Sequence, residues 1–218
     1  MFRLCIFDLD GTLTDTLDSM CYTTNEMMKE LGYPTISKEN CRAYVGNGAR
    51  VLVEKALAEA GVQDDAETDK ALEVFKRHFK LYSTYHVDAY AGVRELLQRL
   101  KKDGFHLAVL SNKLHPEAVN VVETVFGKDL FEWVQGQQDG IPRKPDPQAA
   151  LYIADALGVS PQDTVYIGDS EVDLLTGKNA GMTVLSVTWG FRSREQLLQA
   201  GAVHLIDSPE QIAKMLEQ

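Results

Sequence analysis

The run Leu4-Cys5-Ile6-Phe7-Asp8-Leu9-Asp10-Gly11-Thr12 decides the fold. Its apolar half shows no alternation, so it reads as a strand covered on both faces, and it ends on an acidic turn containing glycine. Three further short apolar runs have the same character: Leu107 to Ser111, Val165 to Asp169 and Val184 to Val187. Between them lie helical patterns, such as Val93, Leu96, Leu97 and Leu100 at i, i+3, i+4 and i+7, with Gly104 placed to stop the helix. Asp146-Pro147, Ser160-Pro161 and Ser208-Pro209 each put a capping side chain before a helix-compatible proline. Ser193 with Gln196, and Ser208 with Gln211, have capping-box spacing. Strands alternating with capped helices from Tyr90 onward predict an α/β fold, a parallel sheet with helices on both faces.

One stretch breaks that rhythm. From about Asp15 to Tyr85 helical patterns follow one another with no strand between them. Leu17, Met20, Met27, Met28 and Leu31 mark one helix ending at Gly32, and Val51, Leu52, Ala56 and Leu57 mark a second ending at Gly61. A third runs from Asp69 to Tyr82. The expected division is a core of residues 1–14 and 86–218 and an α-helical cap of residues 15–85. The cap leaves the sheet at its carboxyl edge, where open α/β folds bind ligands. The methionines of its first helix read as core packing.

Composition bounds the rest. With 44% hydrophobic and 25% charged residues in 218, the chain can bury a sizeable core plus a smaller insertion. A formal charge of -10 is opposite in sign to what phosphate-backbone binding favours, so nucleic acid is not an expected partner. The apolar stretches are too short to cross a bilayer, and Met1-Phe2-Arg3-Leu4 runs into a polar turn where a signal peptide needs a long apolar region. A cytoplasmic protein is expected. Cys5, Cys21 and Cys41 have no metal-like spacing and read as reduced core thiols, and none of the five histidines is assigned a role.

Asp8 and Asp10 end the first strand, and side chains at i and i+2 of an extended backbone point the same way. Two carboxylates sharing one mouth need a cation between them or a proton on one of them, which suits a nucleophile paired with a general acid. Gly11 lets the chain turn sharply and Thr12 can hydrogen-bond within the turn. Ser111-Asn112-Lys113 closes the second core strand and presents a hydroxyl and an amide able to hold phosphoryl oxygens. Lys144-Pro145-Asp146-Pro147 puts a cation on a loop stiffened by two prolines. Gly168-Asp169-Ser170-Glu171-Val172-Asp173 sets two acids four apart at a strand-to-helix turn, hard oxygen ligands of the kind Mg²⁺ takes. Glu171 reads equally as a solvated surface acid.

Together, Asp8-x-Asp10-Gly11-Thr12, Ser111, Lys144 and Gly168-Asp169-x-x-x-Asp173 resemble the four ordered motifs of the haloacid dehalogenase superfamily, over essentially the whole chain. The segment Tyr44-Val45-Gly46-Asn47-Gly48-Ala49 is similar to the substrate-facing cap loop of its phosphoglycolate phosphatase-like branch. The resemblance implies a Rossmann-like core and a Mg²⁺-dependent phosphatase acting on a small phosphorylated metabolite, with 2-phosphoglycolate the leading substrate. Asp8 would form an aspartyl-phosphate, and Asp10 would protonate the leaving alkoxide and then take a proton from the hydrolytic water. The Asp8 carboxylate, the Asp10 carbonyl and Asp169 would hold Mg²⁺, with Asp173 a direct or water-mediated ligand. Ser111 and Lys144 would stabilise the transferring charge. Thr12, Asn112, Asn47 and Arg50 are the candidate phosphate- and substrate-binding residues.

Rivals share the fold. Asp10 argues against dehalogenation, which lacks an acid at that position, and no local sequence marks a Schiff-base lysine in the cap for phosphonate chemistry. A sugar-phosphate mutase, a pyrophosphatase and a non-catalytic phosphate-binding regulator stay open, as does the choice between monomer and homodimer.

Overall fold

A computed structural model describes residues 2–216. The sheet unit contains β1 (Leu4–Phe7), β4 (His106–Leu114), β5 (Trp133–Gln137), β6 (Thr164–Gly168), β7 (Thr183–Val187) and β8 (His204–Ile206), in the order β5-β4-β1-β6-β7-β8. All neighbouring pairs are parallel. The expected parallel α/β core is therefore what forms. Leu4 and Ile6 pack on one face of β1, against Ala150 and Ile153 of α7 (Gln148–Ala156). Cys5 and Phe7 pack on the other, with Leu97 of α5 (Val93–Lys102), Val121 of α6 (His115–Phe126) and Ile212 of α10 (Pro209–Leu216). Both faces being covered is why these strands read as continuous apolar runs. Two more helices, α8 (Glu171–Asn179) and α9 (Arg194–Gln199), flank β7 and its edge neighbour β8.

The strands read from sequence lie within a few residues of those observed. Two strands of this sheet escape that reading: β5 is the polar edge run Trp-Val-Gln-Gly-Gln, and β8 has three residues. Of the proline-marked helix starts, Ser160-Pro161 opens only a short 3-10 turn, and Asp146, two residues ahead of α7, accepts a hydrogen bond from the amide of Gln148, the first residue of that helix. The capping box at Ser193 and Gln196 forms. At α10, Gln211 instead accepts from the Asp207 amide.

Four helices lie between β1 and the rest of the sheet: α1 (Leu17–Glu30), α2 (Lys38–Tyr44), α3 (Ala49–Glu59) and α4 (Asp65–Tyr82). Short strands β2 (Thr14–Asp15) and β3 (Asp88–Ala89) pair antiparallel where the chain leaves and rejoins the core. The helices share a core of their own that includes Met27, Met28, Val53, Leu57, Phe75 and Phe79. Helix α2 is absent from the sequence reading because it is mostly polar and buries only Cys41. Helix α4 starts at Asp65, not Asp69, because Asp64 caps it by accepting from the Glu67 amide, and its first turn carries exposed acids with no apolar pattern.

Chain order runs one way from β1 through β4 to β5 and the other way through β6 to β8. A crevice opens above β1 at that reversal, at the carboxyl ends of the strands.

Candidate active site

Asp8 and Asp10 follow β1 directly, and both are buried. Gly11 makes the turn possible: its φ is +90°, and a side-chain carbon there would overlap the Asp169 carboxylate. On the next strand the β4–β5 ladder shifts register between Leu110 and Leu114, which takes Ser111, Asn112 and Lys113 out of regular pairing and turns them into the crevice. Asn112 then acts as a brace. It accepts from the Lys144 amide (3.0 Å) and donates to the Lys144 and Gly46 carbonyls (both 3.2 Å), so its amide is spent on holding the Lys144 loop and the cap loop.

Lys144 is 6% exposed, and its ammonium lies 2.8 Å from Asp8 Oδ1 and 2.7 Å from Asp173 Oδ1. Burial works against its charge, yet Asp173 and Asp8 outweigh that and hold its pKa well above the ordinary lysine value. For Asp8 burial dominates and, with Asp173 and Asp169 adding to it, pushes the pKa well above the carboxylate range against the pull of Lys144. Burial and then Asp173 push Asp169 up to about 7, although the Phe191 amide donates to its Oδ2 at 2.6 Å.

Asp8, Asp169 and Asp173 each offer an oxygen within 4.8 Å of the others. Three buried carboxylates facing one ammonium leave an excess of negative charge, and the donors are all hard oxygens, so the residues present fit a divalent cation such as Mg²⁺. Asp173, expected at or beside the metal, has both oxygens engaged. Oδ1 accepts from Lys144 and from Tyr166 Oη (3.4 Å), and Oδ2 from the Ser170 amide (3.1 Å) and Oγ (2.5 Å). It anchors Lys144 and closes the capping box of α8. Asp169 accepts one hydrogen bond on each oxygen, from Thr12 and from the Phe191 amide, and Asp8 pairs with Lys144 through Oδ1, so both keep more acceptor capacity than Asp173, which takes two on each.

Other expectations separate in the same way. Thr12, expected beside phosphate, is 1% exposed and donates to Asp169 Oδ1 at 3.3 Å, so it steadies a carboxylate. Arg50, expected beside substrate, lies outside the crevice, where it pairs with Glu54 (2.9 Å) and Asp69 (2.5 Å) on the cap surface. Gly46 and Gly48 line the crevice but Asn47 between them does not; its carbonyl accepts from Arg143 at 3.2 Å. Glu171 pairs with Arg192 at 3.0 Å.

The sequence reading left two crevice cations without a role. Lys113 lies 3.0 Å from Asp10 Oδ1, and its place two residues after Ser111 on a strand was the available signal. Arg192 donates to the Arg42 and Val45 carbonyls of the cap, and Arg42 donates back to the Gly190 carbonyl at 3.3 Å. No local pattern marks that exchange. Gly190 belongs to the same contact, since a side chain there would overlap the Gly11 carbonyl and Asp169. Phe191 packs in the cap core, and Trp189 donates to the Thr12 carbonyl at 3.0 Å.

A parallel sheet with its acids at the switch point, roofed by inserted helices, defines a capped Rossmann-like α/β protein with an acidic site. The chain belongs to the haloacid dehalogenase-like hydrolases, whose family profile matches residues 5–187. It is 33% identical over 209 residues to the phosphoglycolate phosphatase of Pseudomonas syringae pv. tomato, covering 94% of this chain and 76% of that one. Its identity to the phosphoglycolate phosphatase of Pseudomonas putida is 36% over 195 residues, 87% of this chain and 70% of that one. Among solved structures, a protein of Lactobacillus delbrueckii subsp. bulgaricus assigned as a phosphoglycolate phosphatase superposes with a TM-score of 0.93 at 30% identity, covering 99% and 98% of the two chains. The chain is accordingly a phosphoric monoester hydrolase. Among the described residues no helix is long and apolar enough to cross a membrane.

Proposed function

We propose that the protein is a Mg²⁺-dependent phosphatase that hydrolyses a small phosphomonoester, 2-phosphoglycolate first among them, through an aspartyl-phosphate on Asp8. The observation that carries this reading is the pairing of Asp8, ion-paired to Lys144 at 2.8 Å, with Asp10 two residues on in the same buried mouth. The substrate comes from the names of the relatives. An oxygen of Asp8 attacks phosphorus as the bond to the leaving oxygen breaks, and Asp10 gives its proton to that oxygen. Asp10 then takes a proton from a water that attacks the phosphorus, releasing phosphate and restoring Asp8. Lys144 orients Asp8, and Ser111 contributes a hydroxyl to the transferring group. Asp8, Asp169 and the Asp10 carbonyl would hold Mg²⁺, which when bound keeps the carboxylates ionised and draws charge from phosphoryl oxygens. The exchange between Arg42 and Arg192 holds the cap down during the first step, shielding it from water. The enzyme works in the cytoplasm as a monomer or homodimer.

The test is phosphate release from 2-phosphoglycolate, sugar phosphates and pyrophosphate, with Mg²⁺ and with EDTA, by wild type and Asp8→Asn. Release that needs both Mg²⁺ and Asp8 is expected. Wild-type turnover in folded Asp8→Asn protein would overturn the reading.

A further inference from the structure

Three cations line the crevice, and two are committed. Lys144 sits between Asp8 and Asp173, and Arg192 spends its guanidinium on Glu171 and two cap carbonyls. Lys113 differs. Its side chain is fully buried, its ammonium has one hydrogen-bond partner among the described residues, Asp10 Oδ1 at 3.0 Å, and the Phe79 ring of α4 lies 4.6 Å from it. An ammonium has three N–H donors, so a carboxylate and a ring face leave capacity for another acceptor.

The surroundings say which acceptor. Phe79 faces Lys113, and with Met20, Leu52 and Phe75 it is part of a cap side of the crevice that carries no charged side chain. A neutral polar leaving group would lose hydration there and find few partners, whereas an anion would meet a buried ammonium. Reach is also set. A general acid hydrogen-bonds the leaving oxygen, and Lys113 touches that acid, so an anionic group within a few covalent bonds of the leaving oxygen comes within range of Nζ.

We propose that Lys113 is a specificity-determining residue that reads a carboxylate placed close to the ester oxygen of the substrate. This deepens the proposed phosphatase function and rests on it. Phe79 ties the reading to cap position, because the ring that faces Lys113 belongs to α4.

The experiment compares kcat/KM for 2-phosphoglycolate with that for ethyl phosphate, which has the same carbon count and no carboxylate, in wild type and Lys113→Met, with Mg²⁺. Wild type is expected to favour the acid by tenfold or more, roughly what a charge-assisted hydrogen bond contributes. In Lys113→Met both rates fall as Asp10 loses its partner, but the ratio drops at least about tenfold, chiefly through KM for the acid. A folded variant with an unchanged ratio would overturn the inference, as Lys113 would then act only through Asp10. The wild-type comparison needs no variant to fold: equal turnover of the two esters overturns the inference and leaves the phosphatase intact. No turnover of either ester, nor of the wider phosphoester panel, overturns the phosphatase reading and the inference with it.

Discussion

The two walls of the crevice are built from opposite materials. The core wall holds Asp8, Asp10, Lys144, Asp169 and Asp173, buried ionisable groups tied to one another and to strand ends. The cap wall is Met20, Val45, Leu52, Phe75 and Phe79, side chains of a separate apolar core. Charge that must be held to within a fraction of an ångström sits at strand ends and on the loop and helix start beside them, while the cap side of the crevice is apolar and adaptable. The charged groups, Lys113 among them, thus stand on the core and the cap supplies the apolar surface that encloses them, and substitutions in each should fail differently.

The largest effect belongs to the core. Lys144→Met leaves Asp8 and Asp173 buried without their counter-charge, which should cost about 3–5 kcal/mol of stability and nearly all turnover. Adding Asp173→Asn should return part of the stability and none of the turnover, which denaturation and rate measurements on both variants would show. Recovery of activity in the double variant would break the assignment of Lys144 to Asp8.

The cap should respond more through binding. Leu52 is 2% exposed, so Leu52→Ala should cost about 2–5 kcal/mol of cap stability. At temperatures where the cap stays folded, KM should rise more than kcat falls. A kcat loss at unchanged KM would blur the division between the walls.

A smaller effect is a pH dependence set by Asp169. Its carboxyl rises from 3.8 to about 7 on folding, so within that window the folded chain holds a proton the unfolded chain lacks. Stability without metal is therefore favoured at low pH and declines as pH rises through 7. Mg²⁺ competes with that proton. The Mg²⁺-induced rise in Tm should accordingly grow from pH 5 to pH 8, and a rise independent of pH would separate Asp169 from the metal.

The smallest effect lies in the cap, at two cysteines outside the crevice lining. A hydrogen bond from the Cys41 thiol, more than the opposing effect of burial, lowers the Cys21 pKa to about 7. Cys21 should alkylate with a midpoint near pH 7, and Cys41→Ala should move that midpoint upward.

The core was legible in the sequence because its catalytic side chains are appended to buried strands. Leu4 to Phe7 places Asp8, the run ending at Ser111 places that hydroxyl, and Val165 to Gly168 places Asp169. The polar edge strand β5 and the short polar helix α2 lacked that apolar signature. The cap was legible as helices but not as a surface: Arg50 stands near the crevice in sequence, yet the rotation of α3 turns it to Glu54 and Asp69. Arg192 meets Arg42 across 150 residues, a contact set by docking of the two units and by no local pattern. Asp173 showed the limit within a motif, since spacing put it near Asp169 while only its bonds to Lys144 and Ser170 reveal what it holds.

The central claim is that Asp8 carries the phosphoryl group. Acid quenching during turnover of 2-phosphoglycolate with Mg²⁺, followed by borohydride reduction and peptide mass spectrometry, reads it directly, because an acyl phosphate is reduced to homoserine. Homoserine at position 8, absent when substrate is omitted, is the result predicted. Steady phosphate release with aspartate intact at position 8, or with the reduced residue elsewhere, would contradict it.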